Sequence, residues 1–265
     1  MPPMSRAAEE PGNAGWAVHP SLMQVALDPL DSAPRADVVT KRLQQAIALG
    51  LLADGSPLPS EADLAAQLQV SNVTLRASLA ELRRDGLIET RRGRGGGSFI
   101  KAGVGHDREI LRKQLLDLNI DDIRDTRDLQ VATTGRAAYL AAERARGNEL
   151  TRLDGLARAL HSARSATEKV KADFRFHAEL AAATRSAELT RVEVGIMTTL
   201  APLMWISGCE ARPLAEAGAE HEAIVRAVVA QDRDKARAVA ESHVQRSLDA
   251  LIELRMQLGR EETLA

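Results

Sequence analysis

Residues 58–100 constrain the fold of this chain more than any other stretch. They run Leu-Pro-Ser-Glu, a short apolar-periodic segment Ala62–Leu68, the turn Gln69-Val70-Ser71, and a second segment Asn72–Asp85. Ser60 stands where a helix N-cap is needed, with Asp63 three residues on as an incomplete capping box. Ser71 does the same for the second segment. Two helices joined by so short a turn form a helix-turn-helix, in which the first turn of the second helix meets base edges. Leu75, Leu79 and Leu82 fall on one face and dock that helix, while Asn72, Thr74, Arg76, Arg83 and Arg84 fall on others. Gly86-Leu87-Ile88-Glu89-Thr90, the run Arg91-Arg92-Gly93-Arg94-Gly95-Gly96-Gly97 and Ser98-Phe99-Ile100 then read as a two-stranded wing. The expected DNA-contacting residues are Ser71, Asn72, Thr74, Arg76, Arg92, Arg94, Gly95 and Gly96.

Charge placement supports this. Val70–Lys101 carries seven basic and three acidic residues, a local +4 on a chain whose net charge is −2. The rest is therefore at −6, so one end is positive on an acidic body, which suits phosphate contact at that end. On its own the charge would fit an ordinary solvated face and a basic loop; on a winged-helix pattern it reads as a phosphate-facing surface.

The remaining chain is helical in pattern. Aromatic residues are 2% of the chain, too few for a typical β-sandwich core. An amphipathic helix Ala36–Leu49 opens the winged helix. Beyond a linker at Gly103-Val104-Gly105, helices are expected at Asp107–Leu118, Asp121–Arg146, Glu149–Ala163, Glu168–Ala183, Leu189–Ser207, Pro213–Ala230 and Arg233–Leu258. Each has one apolar stripe, so they must pack on one another as an antiparallel bundle. The expected fold class is mainly α: an N-terminal winged helix-turn-helix plus a C-terminal antiparallel helical bundle. The expected division is a tail at 1–35, which holds six prolines and no sustained period, a winged helix at 36–101 and a helical domain at 107–258. One cysteine, Cys209, precludes an internal disulfide. No apolar run reaches about 18 residues, and the N-terminus lacks the pattern of a secretion signal, so a cytoplasmic protein with no membrane partner is expected.

A second constellation lies in the helical half. Asp173 and His177 are four residues apart and share a helix face. His221 opens the stripe His221, Ile224, Val225, Val228, and His243 lies on the following helix. The turn at Gln231–Asp232 lies about midway between the two histidines, which puts both imidazoles at similar height on antiparallel neighbours. Imidazole and carboxylate are the ligands of Zn, Ni, Mn and Fe sites. The spacing equally fits surface Asp/His pairs or core histidines with hydrogen-bond partners. Gly93–Gly97 lacks the Lys-Ser/Thr of a phosphate loop. Cys209 reads as a core thiol, and Met204 and Trp205 as core residues or cavity lining. His19, His106 and His161 have no assignable partners. Glu220 and Glu222 are nominal general bases should the cluster be catalytic.

Leu-Pro-Ser-Glu, Leu64-Ala65, Val70-Ser71, Thr74-Leu75-Arg76, Leu79, Leu82, Gly86-Leu87-Ile88 and the glycine-rich wing resemble the winged helix of the GntR family of bacterial transcription regulators. Two positions depart from the family pattern. Ala62 and Asn72 stand where it usually has arginines that contact the operator; Arg76 matches the third common contact. Asp173-Phe174-Arg175-Phe176-His177, Glu220-His221-Glu222-Ala223-Ile224, Ala236-Arg237 and His243 resemble the ligand-binding domain of the family's fatty-acid-regulator branch, of FCD type. That resemblance covers about residues 107–255. It implies a divalent metal, Zn, Ni or Mn, held by Asp173, His177, His221 and His243, and a small organic-acid effector. The function expected is a dimeric DNA-binding transcription regulator, not an enzyme, on a palindromic operator. The alternatives are a metal-dependent hydrolase fused to a nucleic-acid-binding module and a helical adaptor with structural histidines.

Overall fold

The computed structural model describes residues 36–48, 50–52, 55–93, 96–101 and 108–264. The tail at 1–35, the linker at 103–105, Arg94, Gly95, His19 and His106 lie outside the described residues.

The N-terminal part is built from α1 (Ala36–Ala48), α2 (Glu61–Gln67), α3 (Asn72–Arg84), β1 (Ile88–Arg91) and β2 (Gly97–Ile100). Ser60 caps α2 by accepting from the Asp63 amide, and Ser71 caps α3 by accepting from the Thr74 amide. Leu75, Leu79 and Leu82 are fully buried against Val39, Leu43 and Ile47 of α1. Polar contacts fix α1 on α3: Ser78 Oγ donates to the Ala36 carbonyl at 2.8 Å and Thr40 Oγ1 to Glu81 at 3.0 Å. The strands pair antiparallel from Ile88↔Ile100 to Arg91↔Gly97, with Pro57 bridged to Phe99 on the other edge. The Arg91 guanidinium lies 4.2 Å over the Phe99 ring, where the ring's quadrupole favours a cation.

Seven helices follow: α4 (Arg108–Asp117), α5 (Ile120–Arg144), α6 (Asn148–Ser162), α7 (Ala166–Ala182), α8 (Ala187–Met204), α9 (Leu214–Val229) and α10 (Arg233–Leu264). The chain is thus mainly α, a winged helix-turn-helix followed by a helical bundle. Helix α5 lies along α10, and Gly135 permits the approach, since a Cβ there would sit 2.5 Å from Glu241 Cγ. The periodic pattern locates every helix, and the ends differ for local reasons. Helix α7 begins at Ala166, ahead of Glu168, because Ser165 and Glu168 form a complete capping box. Helix α8 contains Pro202 and ends at Met204, where Trp205 leaves the helical conformation at φ −121 and ψ 41. Helix α10 continues past Leu258 to Leu264.

One hydrophobic cluster runs without a break from Leu43 and Leu75 of the winged helix to Phe174, Trp205 and Leu251 of the bundle. A second, centred on Phe176, Leu180, Ile224 and Ala240, fills the far end of the bundle. Cys209 is half-buried beside the first cluster and not a core thiol. No helix among the described residues is long and apolar enough to cross a membrane.

Candidate metal centre and nucleic-acid interface

Three helices converge on one buried point. Asp173 and His177 project from α7, His221 from α9 and His243 from α10, and one donor atom of each lies within 4.8 Å of the others. His177 Nε2 and His221 Nε2 are each 3.2 Å from His243 Nε2. Asp173 Oδ1 is 3.4 Å from His221 Nε2 and 3.9 Å from His177 Nε2. A metal with bonds of about 2.0–2.2 Å sets neighbouring donors about 3–3.5 Å apart, so most of these edges already have that length.

The surrounding groups decide which ring nitrogens face inward with a lone pair. His177 Nδ1 meets Glu193 Oε1 at 3.2 Å and His243 Nδ1 meets Glu220 Oε2 at 2.7 Å. A carboxylate only accepts, so each Nδ1 carries the proton. In the neutral rings both Nε2 atoms then present lone pairs to each other, which repel unless a cation stands between them. Trp205 Nε1 donates to Asp173 Oδ2 at 2.9 Å and leaves Oδ1 facing the histidines. His221 differs: its ring stacks on Phe176 at 3.8 Å and its buried Nδ1 has no partner. The donor set therefore fits a divalent metal with imidazole and carboxylate preference.

The electrostatics distinguish the three rings. Burial, together with the nearby His243 and His177, pushes His221 well below its ordinary value. Burial also lowers His243, against the pull of Glu220. For His177, burial is outweighed by the Glu193 hydrogen bond and the charges of Asp173 and Glu193, and its value is raised. Burial would raise Glu220, but His243 and Arg212 overcome it and hold the carboxyl at about 2. Arg212 is itself buried and forks onto both Glu220 oxygens, at 2.8 and 2.9 Å. Formal charges of Asp173, Glu193 and Glu220 against Arg212 and Arg246, the latter 2.9 Å from Glu220, leave a net negative charge beside the donors, which a cation would neutralise.

Glu193 escaped the sequence reading. It sits on the α8 stripe that continues as Met197, Leu200 and Met204, and an acid on an apolar stripe was the available signal. Thr134 donates to it at 2.9 Å and Gln130 at 3.3 Å. Glu220, read as a nominal base, instead holds a histidine, while Glu222 pairs with His161 at 3.5 Å. Trp205 is core and also anchors Asp173. A cavity of about 20 Å³, room for about one water, opens beside the donors against Gln130, Met197, Leu200, Met204 and Leu248.

The other set of expected contacts is on α3 and the wing. Asn72, Thr74 and Arg76 lie along α3. Ser71 and Thr74 share a 2.8 Å hydroxyl contact within the cap. Arg76 is exposed and its Nε lies 2.7 Å from Glu61, a surface pair worth little and open to exchange for phosphate. Val73, beside them, is 79% exposed. Arg92 is exposed at the wing, and Gly96 bends tightly enough that a Cβ would sit 2.6 Å from the Arg91 carbonyl.

Residues 35–97 match the model of bacterial regulatory proteins, gntR family, and residues 129–246 match the FCD domain. A protein of Mycobacterium gastri described as the HTH-type transcriptional regulator RmpR is 38% identical over 87% of this chain and 85% of its own. The chain belongs to the GntR family. Its combination of domains makes it a DNA-binding transcription regulator of the GntR/FCD type. More distant relatives include the HTH-type transcriptional regulator Rv0494 of Mycobacterium tuberculosis, 27% identical over 65% of this chain and 71% of its own. An Escherichia coli protein described as an L-lactate dehydrogenase operon regulatory protein is 29% identical over 79% of this chain and 83% of its own.

Proposed function

We propose that this GntR/FCD regulator binds a two-fold operator as a homodimer in the cytoplasm. Its affinity for that operator is set by a small organic acid at a metal in the helical bundle. The winged helix spans 36–101 and contacts DNA through Ser71, Asn72, Thr74, Arg76, Arg92, Arg94, Gly95 and Gly96. The bundle, 107–258, holds Zn, Ni or Mn on Asp173, His177, His221 and His243. The observation that carries the reading is the inward-facing Nε2 pair, with each Nδ1 committed to a carboxylate. Carboxylates that hold the far ring nitrogen of a histidine are usual at metal sites, and the four residues lie in the FCD domain, a class known to bind metals.

When bound, the metal supplies a Lewis-acidic position for a carboxylate oxygen of the effector. The chain's own residues do the rest. Glu193, Glu220 and Trp205 hold the donors, and the cavity beside them is lined by polar Gln130 and Ser247 on one side and apolar Met197, Leu200 and Met204 on the other. Met197 and Met204, unbranched and adaptable, give way to an effector larger than one water. The effector acts on DNA affinity only to the extent that it binds two arrangements of the bundle unequally.

Elemental analysis and mobility-shift titration test both halves. Wild-type protein should carry equimolar metal, and His177→Ala/His221→Ala should lose it while still binding the operator with the affinity of metal-stripped wild type. Arg76→Ala should keep its metal and lose about 1–3 kcal/mol of operator affinity if it reads a base. Stoichiometric metal in the double variant would refute the metal assignment. Wild-type DNA affinity in Arg76→Ala would refute the assigned contact.

A further inference from the structure

Helix α7 has two working faces. Asp173 and His177 point into the donor cluster. Lys171 and Arg175, two residues from Asp173 on either side, lie about half a helical turn away on the opposite side of the helix. There they meet the winged helix. Arg175 donates from an η nitrogen to the Gly50 carbonyl at 2.7 Å. The Lys171 stem crosses Gly50 so closely that a Cβ on that residue would sit 3.1 Å from Lys171 Cδ. Gly50 adopts φ 69 and closes the turn at the end of α1, with its amide bonded to the Ile47 carbonyl at 2.9 Å. Leu51 and Leu52, next in the chain, are buried in the cluster shared by both halves.

From Gly50 the contacts continue to the DNA-reading helix. Helix α1 bonds to α3 and its C-cap residue at three successive turns: Ser78 to the Ala36 carbonyl, Thr40 to Glu81, and Gln44 to Asp85 at 3.1 Å. The order is therefore donors, α7, Gly50 turn, α1, α3, with each link a named contact and no link through residues 102–107. A helix moves as a near-rigid body within a close-packed interior. A shift of α7 that brings Asp173 and His177 onto a cation must therefore move Arg175 and Lys171 with them.

We propose that Arg175, with Lys171, is the positioning contact through which occupancy of the donor cluster sets the placement of α1 and the recognition helix. The inference rests on the metal assignment made above and goes beyond it, since it assigns the coupling to two residues that touch neither metal nor DNA. Removing the guanidinium should uncouple the two ends without damaging either. Arg175→Met keeps the stem and its packing; Arg175→Lys keeps a donor and should restore part of the effect.

The experiment uses full-length protein, either stripped with chelator or loaded with Zn²⁺, and a duplex that the wild type selects from a random pool. Three quantities are read: Zn²⁺ affinity by chelator competition, the DNA-affinity ratio between loaded and stripped protein, and amide exchange over residues 36–52. In wild type, loading should change the ratio by at least about fivefold, the lower range of allosteric couplings, and alter exchange in that segment. In Arg175→Met the ratio should fall to within twofold of one and the exchange change should vanish, with Zn²⁺ affinity within twofold of wild type. Arg175→Lys should lie between. A full ratio and a full exchange response in Arg175→Met would overturn the proposal and leave the metal assignment standing. So would a wild type that binds Zn²⁺ with no response in residues 36–52. A wild type that binds no Zn²⁺ would instead overturn the metal assignment on which the coupling depends.

Discussion

At the scale of single residues, the site depends on groups that never touch a metal. Asp173, His177, His221 and His243 supply donor atoms, but Glu193 and Glu220 decide which nitrogen of two rings is free. Such partners are commonly worth about 10–100-fold in metal affinity. Glu193→Gln preserves the size of the side chain and removes the charge. It should weaken Zn²⁺ binding by about that factor, as read by chelator competition, while far-ultraviolet circular dichroism stays at wild type. Unchanged affinity would show that Glu193 is only a packed acid. The four donor positions were legible in the sequence through their spacing and resemblance. Glu193 was not, because a single buried acid gives no periodic signal until α8 is laid against α7.

At the scale of elements, caps and breaks explain why the helices begin and end where they do. Ser165 and Glu168 close the start of α7, the helix that carries Asp173 and His177. Glu168 accepts from the Arg164 and Ser165 amides, and those bonds hold its carboxyl below the ordinary 4.5. Ser165→Ala should cost about 1 kcal/mol in urea unfolding of the metal-stripped protein. The Glu168 half of the box has a pH signature. Its folded value is depressed, so its contribution is present above about 4.5 and is lost as pH falls through the lower folded value. Comparing wild type with Glu168→Gln from pH 6 downward should show a stability gap that closes in acid. A gap constant with pH would contradict the assignment. The sequence period placed α7, yet its first residue depended on the cap at Ser165, three residues upstream of the expected start at Glu168.

At the scale of the whole molecule, the winged helix with its positive Val70–Lys101 segment and the helical bundle are joined by one continuous apolar cluster. A single winged helix covers one half-site, and its affinity in physiological salt would be modest. Two tethered modules gain through effective concentration. Multi-angle light scattering should therefore give about twice the 28.6 kDa chain mass, both free and on a palindromic duplex. Removing or mutating one half of the palindrome should cost the affinity gained by tethering. A monomer in both states would contradict the dimeric reading.

The amino-acid sequence by itself determined the class of fold, the order of the helices and the caps at Ser60 and Ser71, and it singled out the four residues that gather in the buried Asp/His cluster. The first three are written in local spacing, as hydrophobic period, capping residue and turn residue; the four-residue set came from the family resemblance. Tertiary structure alone decided that His177 and His243 face each other, that Trp205 anchors Asp173, and that Arg212 locks Glu220. It also decided that Arg175 reaches the carbonyl of Gly50. These contacts join residues far apart in the chain, and they depend on how helices are rotated and stacked. That packing is set by the sum of many buried side chains, and no local pattern records it.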